Sequence, residues 1–463
     1  MKGDFTRMTF DPAKHYSRAF QQQGRVQMDA DSNEGDDILR YFSRRLAADL
    51  IGPHGGPGTS FLIGEPPKDN NGNDLRDFGI SAGHYYVDGI LCENDNPMRY
   101  TAQGGSPIGL DKLEVGKPYL AYLDVWERHV TAYEDEDEER IGIREVALRG
   151  PDTGSRAQII WQVNWKVIDQ PTINKLKAAE PEGYANFLKF LEDPPAAVRG
   201  RLRARALKPS ADDEPCIISP EAHYRGAENQ LYRVEIHHPG VTMPSVGKPD
   251  IDKIANFKWS RENGSVIFPI TDVQGEIITL RDLGRESRFG LSVDDWVEIT
   301  DDDYVLQNRA QPLLQVKIIN RDTMEVTLKA APASPVRTDP AKHPLLRRWD
   351  QKSDAIAVVE TIGNENPNWI FTLEDGVQIQ FPGGERNGAA NPTTFYRTGD
   401  YWLIPARVVT GDVEWPGPRG NPRPRPPHGV EHVFAPLGTI SIAAGGKVTL
   451  DNDLRKTFKP LTA

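Results

Sequence analysis

Carboxylates beside aromatic rings are the side chains of this sequence best suited to chemistry. Asp124 and Glu127 lie in LDVWER, and Asp400 precedes Tyr401 and Trp402. Cleavage of a glycosidic bond needs two such acids facing each other, one protonated and one ionised. That separation is spatial, so spacing along the chain neither makes nor excludes a pair. In a β protein an aromatic-flanked acid is more often a hydrogen-bonded corner.

Other templates run thin. The sequence contains no GxSxG, HExxH or CxxC. HGGPGTS, from His54 to Ser60, is glycine-rich but lacks the GK[ST] ending of a phosphate cradle and reads as a loop. His237 and His238 adjoin in a strand pattern, which aims them at opposite faces and away from a shared metal. The acidic run Glu134 to Glu139 and the triplet Asp301 to Asp303 lack the alternate spacing and central glycine of a calcium loop; they read as a solvated loop and a turn. Cys92 and Cys216 have neither metal spacing nor a disulfide framework and read as small buried hydrophobes. No catalytic, cofactor-binding or metal-ligating residue is assigned, and no cofactor is expected.

The elements that must position these residues are mostly strands. The 463 residues include 41 glycines and 37 prolines, above the roughly 12 per cent of ordinary domains, and they punctuate short alternating runs. The fold expected is mainly β with a few helices: several β-sandwich or small β-barrel modules, plus an N-terminal arm and an amphipathic helix. The segments are 1–53, arm and helix; 54–215, a first β-rich domain with a helical insertion near 171–193; 216–330, a second β-rich domain with a small barrel or sandwich from about Phe257 to Lys329; and 331–463, a C-terminal β-rich region with a proline-rich loop at 416–429. Asp88-Gly89 and Asn263-Gly264 read as hairpin turns. IREVALRGPDTGSRAQIIWQVNWKVI reads as a strand pair, with Trp161, Val163 and Trp165 on one face.

The helix pattern begins near Asp29, with Ser32 or Asn33 as its cap, and Gly52-Pro53 ends it. Ile38, Leu39, Phe42, Leu46 and Leu50 recur at three- and four-residue steps and form one apolar stripe. Two readings stay open: the stripe packs on the protein's own sheet, the commoner case, or on another subunit. The preceding arm interleaves Phe10, Tyr16, Phe20, Val26 and Met28 with Lys14, Arg18 and Arg25, which reads as ordered. Candidate interaction residues are Phe10, Tyr16, Phe20, Arg25, Met28, Ile38, Phe42 and Leu46.

The formal charge of −12 argues against a nucleic-acid partner. The basic run RGRLRARALK, from Arg199 to Lys208, fits a solvated edge strand better than a polyanion contact. No window is apolar enough to span a membrane, and no signal-peptide core follows Met1, so assembly in the cytoplasm is expected.

GDFTRMTFDPAKHYSRAFQQQGRVQMDADSNE, GHYYVDGILCEN, YLAYLDVWERHVTA, ENQLYRVEIHHPG, FKWSRENGSVIFPI and TGDYWLIPAR together resemble the DUF6519-type family of uncharacterised bacterial proteins, from Gly3 to about Leu461. Members of that family often lie beside genes for phage-tail-like contractile injection systems, and some add a carboxy-terminal β-helix or fibre region; the end of this chain soon after the shared part counts against a direct fibre role. The arm with AGHYYVDGI is also similar to the starts of baseplate proteins that hold tail fibres. The resemblance implies a structural or adaptor component, of baseplate or fibre-attachment type. Its partners would be other subunits of the particle, with homo-oligomerisation as a further expectation. Release within an extracellular particle would follow. The alternative is a cargo protein, effector or carbohydrate-acting hydrolase of such a particle.

Overall fold

The computed structural model describes residues 1–66, 77–105, 109–136, 142–150, 152–192, 198–206, 224–241, 254–284, 289–333, 339–358, 360–361, 369, 371–382, 394–418 and 421–459. The fold is mainly β, in several sheets, as the turn-rich composition predicts. Contacts divide the chain into two compact units, each drawn from separate stretches. One holds Thr9–Arg128, Ala157–Pro195 and Glu431–Ala463; the other holds Met1–Met8, His129–Arg156 and Ala196–Val430.

In the first unit, helix α1 spans Asp29–Ile51. Asp29 and Asp31 occupy its first turn, where the helix dipole favours carboxylates. The cap is Met28, with no side-chain bond, so Ser32 and Asn33 fall inside the helix and not at its start. Gly52, at φ 95°, ends it by donating to the Ala48 carbonyl. The hairpin Gly83–Val87 with Ile90–Asn94 turns at Asp88-Gly89 with φ of 47° and 74°, as that dipeptide predicts. A Cβ on Gly89 would strike the Arg44 carbonyl, so only glycine lets the turn tuck under α1.

His54–Pro57 is a strand beside that hairpin, not the expected loop. Gly56 makes this workable, because a side chain there would run into the Tyr85 ring. A second sheet orders Val448–Asp453, Val433–Ile442, Tyr119–Val130 and Arg156–Val167. Residues 143–168 therefore supply one long strand, and Val146–Leu148 is a 3-10 turn where a partner strand was expected.

Alternation along Tyr119–Val130 serves two cores. Tyr119, Ala121, Leu123 and Val125 face the sheets' shared core with Tyr85, Cys92 and Val163. Leu120 faces the other way, onto Ile173, Leu176 and Phe187. Those three come from helices α2, Gln170–Leu176, and α3, Glu182–Leu191, the insertion read from the sequence.

The second unit contains a closed six-stranded barrel ordered Ile267–Gln274, Ile277–Leu280, Glu325–Leu328, Leu314–Asn320, Trp296–Thr300 and Leu345–Trp349. Its closing strand comes from beyond Lys329. A five-stranded sheet orders Ile356–Ala357, Asn256–Ser260, Gln230–His238, Tyr401–Arg407 and Asp412–Val413. Asn263-Gly264 has the turn geometry its sequence predicts, at φ 51° and 67°, but it does not join a hairpin. The strand before it belongs to the five-stranded sheet and the strand after it to the barrel. Asn263 is buried; its side chain donates to the Gly3 carbonyl at 2.8 Å and its amide to the Leu231 carbonyl at 3.0 Å, so the turn is anchored by the amino-terminal segment and by a neighbouring strand, not by pairing between the two strands it joins.

Candidate functional site

Helix α1 is held on its unit by charge. Glu127 accepts from Arg40 at 2.6 Å and Arg44 at 2.7 Å, and Arg40 also bonds Asp37 at 2.7 Å. Burial pushes the Asp37 carboxyl up, with Arg40 opposing. Thr9 Oγ1 donates to Glu34 at 2.6 Å, and Phe10 lies against Tyr41 with ring centroids 5.7 Å apart. Among the stripe residues Ile38 is buried, at 1 % exposure.

The other four stripe residues face outward. Leu39, Phe42, Leu46 and Leu50 are 64, 49, 62 and 77 % exposed. The arm repeats this pattern: Tyr16, Phe20, Val26 and Met28 are all exposed, and so is Arg25. Arg18 stacks 4.1 Å over Phe20, and Lys14 lies 5.7 Å from the centroid of Tyr16. Exposed apolar side chains scattered singly are ordinary, whereas a concentration marks a contact surface. Of the predicted interaction residues, Phe10 and Ile38 pack within the chain, while Tyr16, Phe20, Arg25, Met28, Phe42 and Leu46 are uncovered.

The aromatic-flanked acids are engaged locally. Asp124 meets His432 Nδ1 at 2.8 Å, with His432 stacked on Trp126 at 4.8 Å. Glu127 is taken by the two α1 arginines. Asp400, 2 % exposed, binds Arg199 at 2.6 Å and accepts from the Arg397 amide; burial raises its carboxyl while Arg199 opposes. Asp301 caps a short helix at the Tyr304 amide, Asp302 meets His343 and Asp303 meets Lys342. Glu136 is held by Arg144 and Arg281, and residues 137–139 of the acidic run lie outside the described residues.

A bulge between Ile236 and His238 overrides the alternation expected of the histidine pair and brings the two rings to 4.3 Å. Among the described residues no group of three or more His, Cys, Asp or Glu is placed to hold a metal. Burial pushes the Cys92 thiol up to about 12, consistent with a small core residue; Cys216 lies outside the described residues. In RLRARAL, Leu202, Ala204 and Ala206 point inward and Arg203–Ala206 is an edge strand, with Arg205 bonded to Gln378.

A cleft of about 190 Å³ in the first unit is lined by His54, Lys177, Glu180, Tyr184, Asp453 and Lys456 among others. It is smaller than the roughly 300–1,000 Å³ of ordinary ligand pockets. Two ion pairs lie on its walls, Lys456 with Glu180 at 3.2 Å and Arg455 with Asp453 at 2.8 Å, and Lys177 donates to the neutral Asn452 side chain at 2.5 Å. His54 meets the Tyr85 hydroxyl at 2.9 Å, and burial lowers it to about 4, leaving it neutral.

Sequence reasoning passed over a buried charge network in the second unit. Glu235 accepts from Arg233 at 2.6 Å and pairs with Lys2 at 3.0 Å and Lys258 at 3.4 Å. Lys258 also meets Glu298 at 2.5 Å, which accepts from Trp349 at 3.0 Å. The signal was weak, because YRVEIHH and FKWS read as ordinary alternating strands.

Two β-rich units built from interleaved stretches, with an arm and a helix carrying uncovered apolar side chains, define the architecture. The chain belongs to DUF6519, a family of unknown function, whose profile matches residues 1–181 and 190–447. Neither a curated protein nor a solved structure matches it.

Proposed function

We propose that this protein is a structural or adaptor subunit of a larger assembly, docking through its arm and helix α1. The observation that carries the reading is the outward stripe: four large apolar side chains at helical spacing, uncovered, on a helix whose inward face is held by ion pairs. Tyr16, Phe20, Val26 and Met28 of the arm add four more uncovered large apolar side chains, and such a concentration marks a contact surface. The resemblance to proteins encoded beside phage-tail-like contractile injection systems supplies the kind of assembly, a baseplate or fibre-attachment position. The hydrolase alternative draws no support from Asp124, Glu127 or Asp400, whose oxygens are taken by His432, Arg40, Arg44 and Arg199.

Removing the arm outright is a poor test, because Lys2 and Gly3 tie into the second unit's buried network. Surface substitution avoids that. The variant Phe20→Asp/Phe42→Asp should fold with unchanged circular dichroism yet be lost from purified particles that retain the wild-type chain. Equal recovery of both chains with the particle would refute docking through this surface.

A further inference from the structure

We propose that the cleft beside His54 is a binding site for a small monocarboxylate, whose oxygens take the His54 Nε2–H and the Lys177 ammonium. The cleft lies within the first unit and shares no residue with the docking surface.

The surroundings of His54 decide what its ring offers. His54 is 1 % exposed and packs on Tyr85 and Tyr184, with ring centroids 6.1 and 5.3 Å away. Its Nδ1 meets the Tyr85 hydroxyl, whose oxygen also accepts from the Lys456 amide at 3.2 Å. Burial keeps that hydroxyl protonated and the imidazole neutral. Of the two groups at the Tyr85 oxygen only Nδ1 can accept, so the hydroxyl proton points there and the imidazole carries its own proton on Nε2. Among the described residues Nε2 has no hydrogen-bond partner. A buried donor in that position calls for an acceptor. His54 lines the cleft and Tyr85 does not, so Nε2–H is the edge turned to it.

A donor selects an acceptor, and charge makes that acceptor an anion. Lys177, Arg455 and Lys456 line the cleft against Glu180 and Asp453, a balance of one positive charge. Glu180 and Asp453 are engaged by Lys456 and Arg455, whereas Lys177 donates to the neutral Asn452 side chain. Lys177 therefore carries the charge left over. A single positive charge suits a monoanion better than a phosphate, which approaches two negative charges at neutral pH. Leu176, Ala178, Pro436 and Leu454 add apolar wall, and about 190 Å³ takes a short alkyl tail but no drug-sized ligand.

Calorimetric titration of the full chain with sodium propionate, in a buffer free of other carboxylates, tests this. The dissociation constant should fall at about 0.1–1 mM, the range open to so few atoms. Propionamide, similar in shape but uncharged, should bind at least tenfold more weakly, and inorganic phosphate more weakly than propionate. Lys177→Met, at an exposed position, should weaken propionate about fivefold, the scale of one exposed charge contact. His54→Phe should abolish binding. Because that change also strips the Tyr85 hydroxyl of its acceptor, a readout on the wild type stands beside it: propionate should shift the His54 Nε2 resonance in nitrogen-15 spectra. No heat and no such shift up to about 10 mM propionate would overturn the site. Equal affinity for propionamide, tighter binding of phosphate, or an unchanged constant in Lys177→Met would overturn the ligand class.

Discussion

At the start of the chain Lys2 and Gly3 are tied into the second unit's buried network, whereas from Tyr16 to Leu50 most of the large apolar side chains are uncovered on the first. The Gly3 carbonyl accepts from buried Asn263, and Lys2 reaches Glu235, itself 3 % exposed. A few residues later Phe20 and Val26 are 72 and 83 % exposed. Hydropathy alone would assign the two stretches the other way round. What separates them is partnership: a charge tolerates burial when oppositely charged groups surround it, and an apolar side chain tolerates exposure when something is to cover it.

The strongest way to break this contrast is to remove one charge from the enclosed side. Glu235→Gln leaves Lys2, Arg233 and Lys258 facing a neutral amide, and unpairing a buried charge costs about 3–5 kcal/mol. Urea unfolding should show a loss of that size. A loss under 1 kcal/mol would mean that the network is wetter than its geometry indicates.

Acid should act on the same side. Burial lowers His237, 1 % exposed and 3.8 Å from Glu298, to about 3, from 6.5 in the unfolded chain. Between those values the unfolded chain binds a proton that the folded chain refuses, so stability is full above pH 6.5 and falls as pH drops towards 3. The slope is about 1.4 kcal/mol per pH unit. Glu298 extends the loss: against the opposing effect of burial, Lys258 and His237 hold its carboxyl at about 2, and its contribution fades as pH falls from 4.5 to 2. His237→Gln should flatten the slope between pH 6 and 4.5 by about 1.4 kcal/mol per unit. An unaltered slope would show that the proton is taken up elsewhere.

These two cases also mark what the sequence could and could not convey. Asp88-Gly89 was legible because its turn chemistry is local, and the length of α1 because its apolar steps and Gly52 are local too. The same local logic misread Asn263-Gly264 as a hairpin, since one of the residues anchoring that turn, Gly3, lies 260 positions away. Arg40 and Arg44 were visible as a dipole-friendly series, but Glu127, which fixes which side of α1 turns inward, sits 87 and 83 residues on. Periodicity identifies residues that share a face and is silent on what lies against it. That is why the stripe was readable and its outward direction was not.

The smallest expected effect on stability tests the exposed side of the contrast. Leu46 projects from the middle of α1 at 62 % exposure, so in the dissociated chain Leu46→Gln removes no buried contact and keeps a good helix former. Surface changes of this kind stay within about 0.5 kcal/mol. Measured by urea unfolding of the isolated chain at low concentration, the variant should therefore match the wild type. A deficit of 2 kcal/mol or more at the lowest concentration would mean that Leu46 is already covered within one chain. The stripe would then be core, and the contrast between the two adjoining stretches would fail.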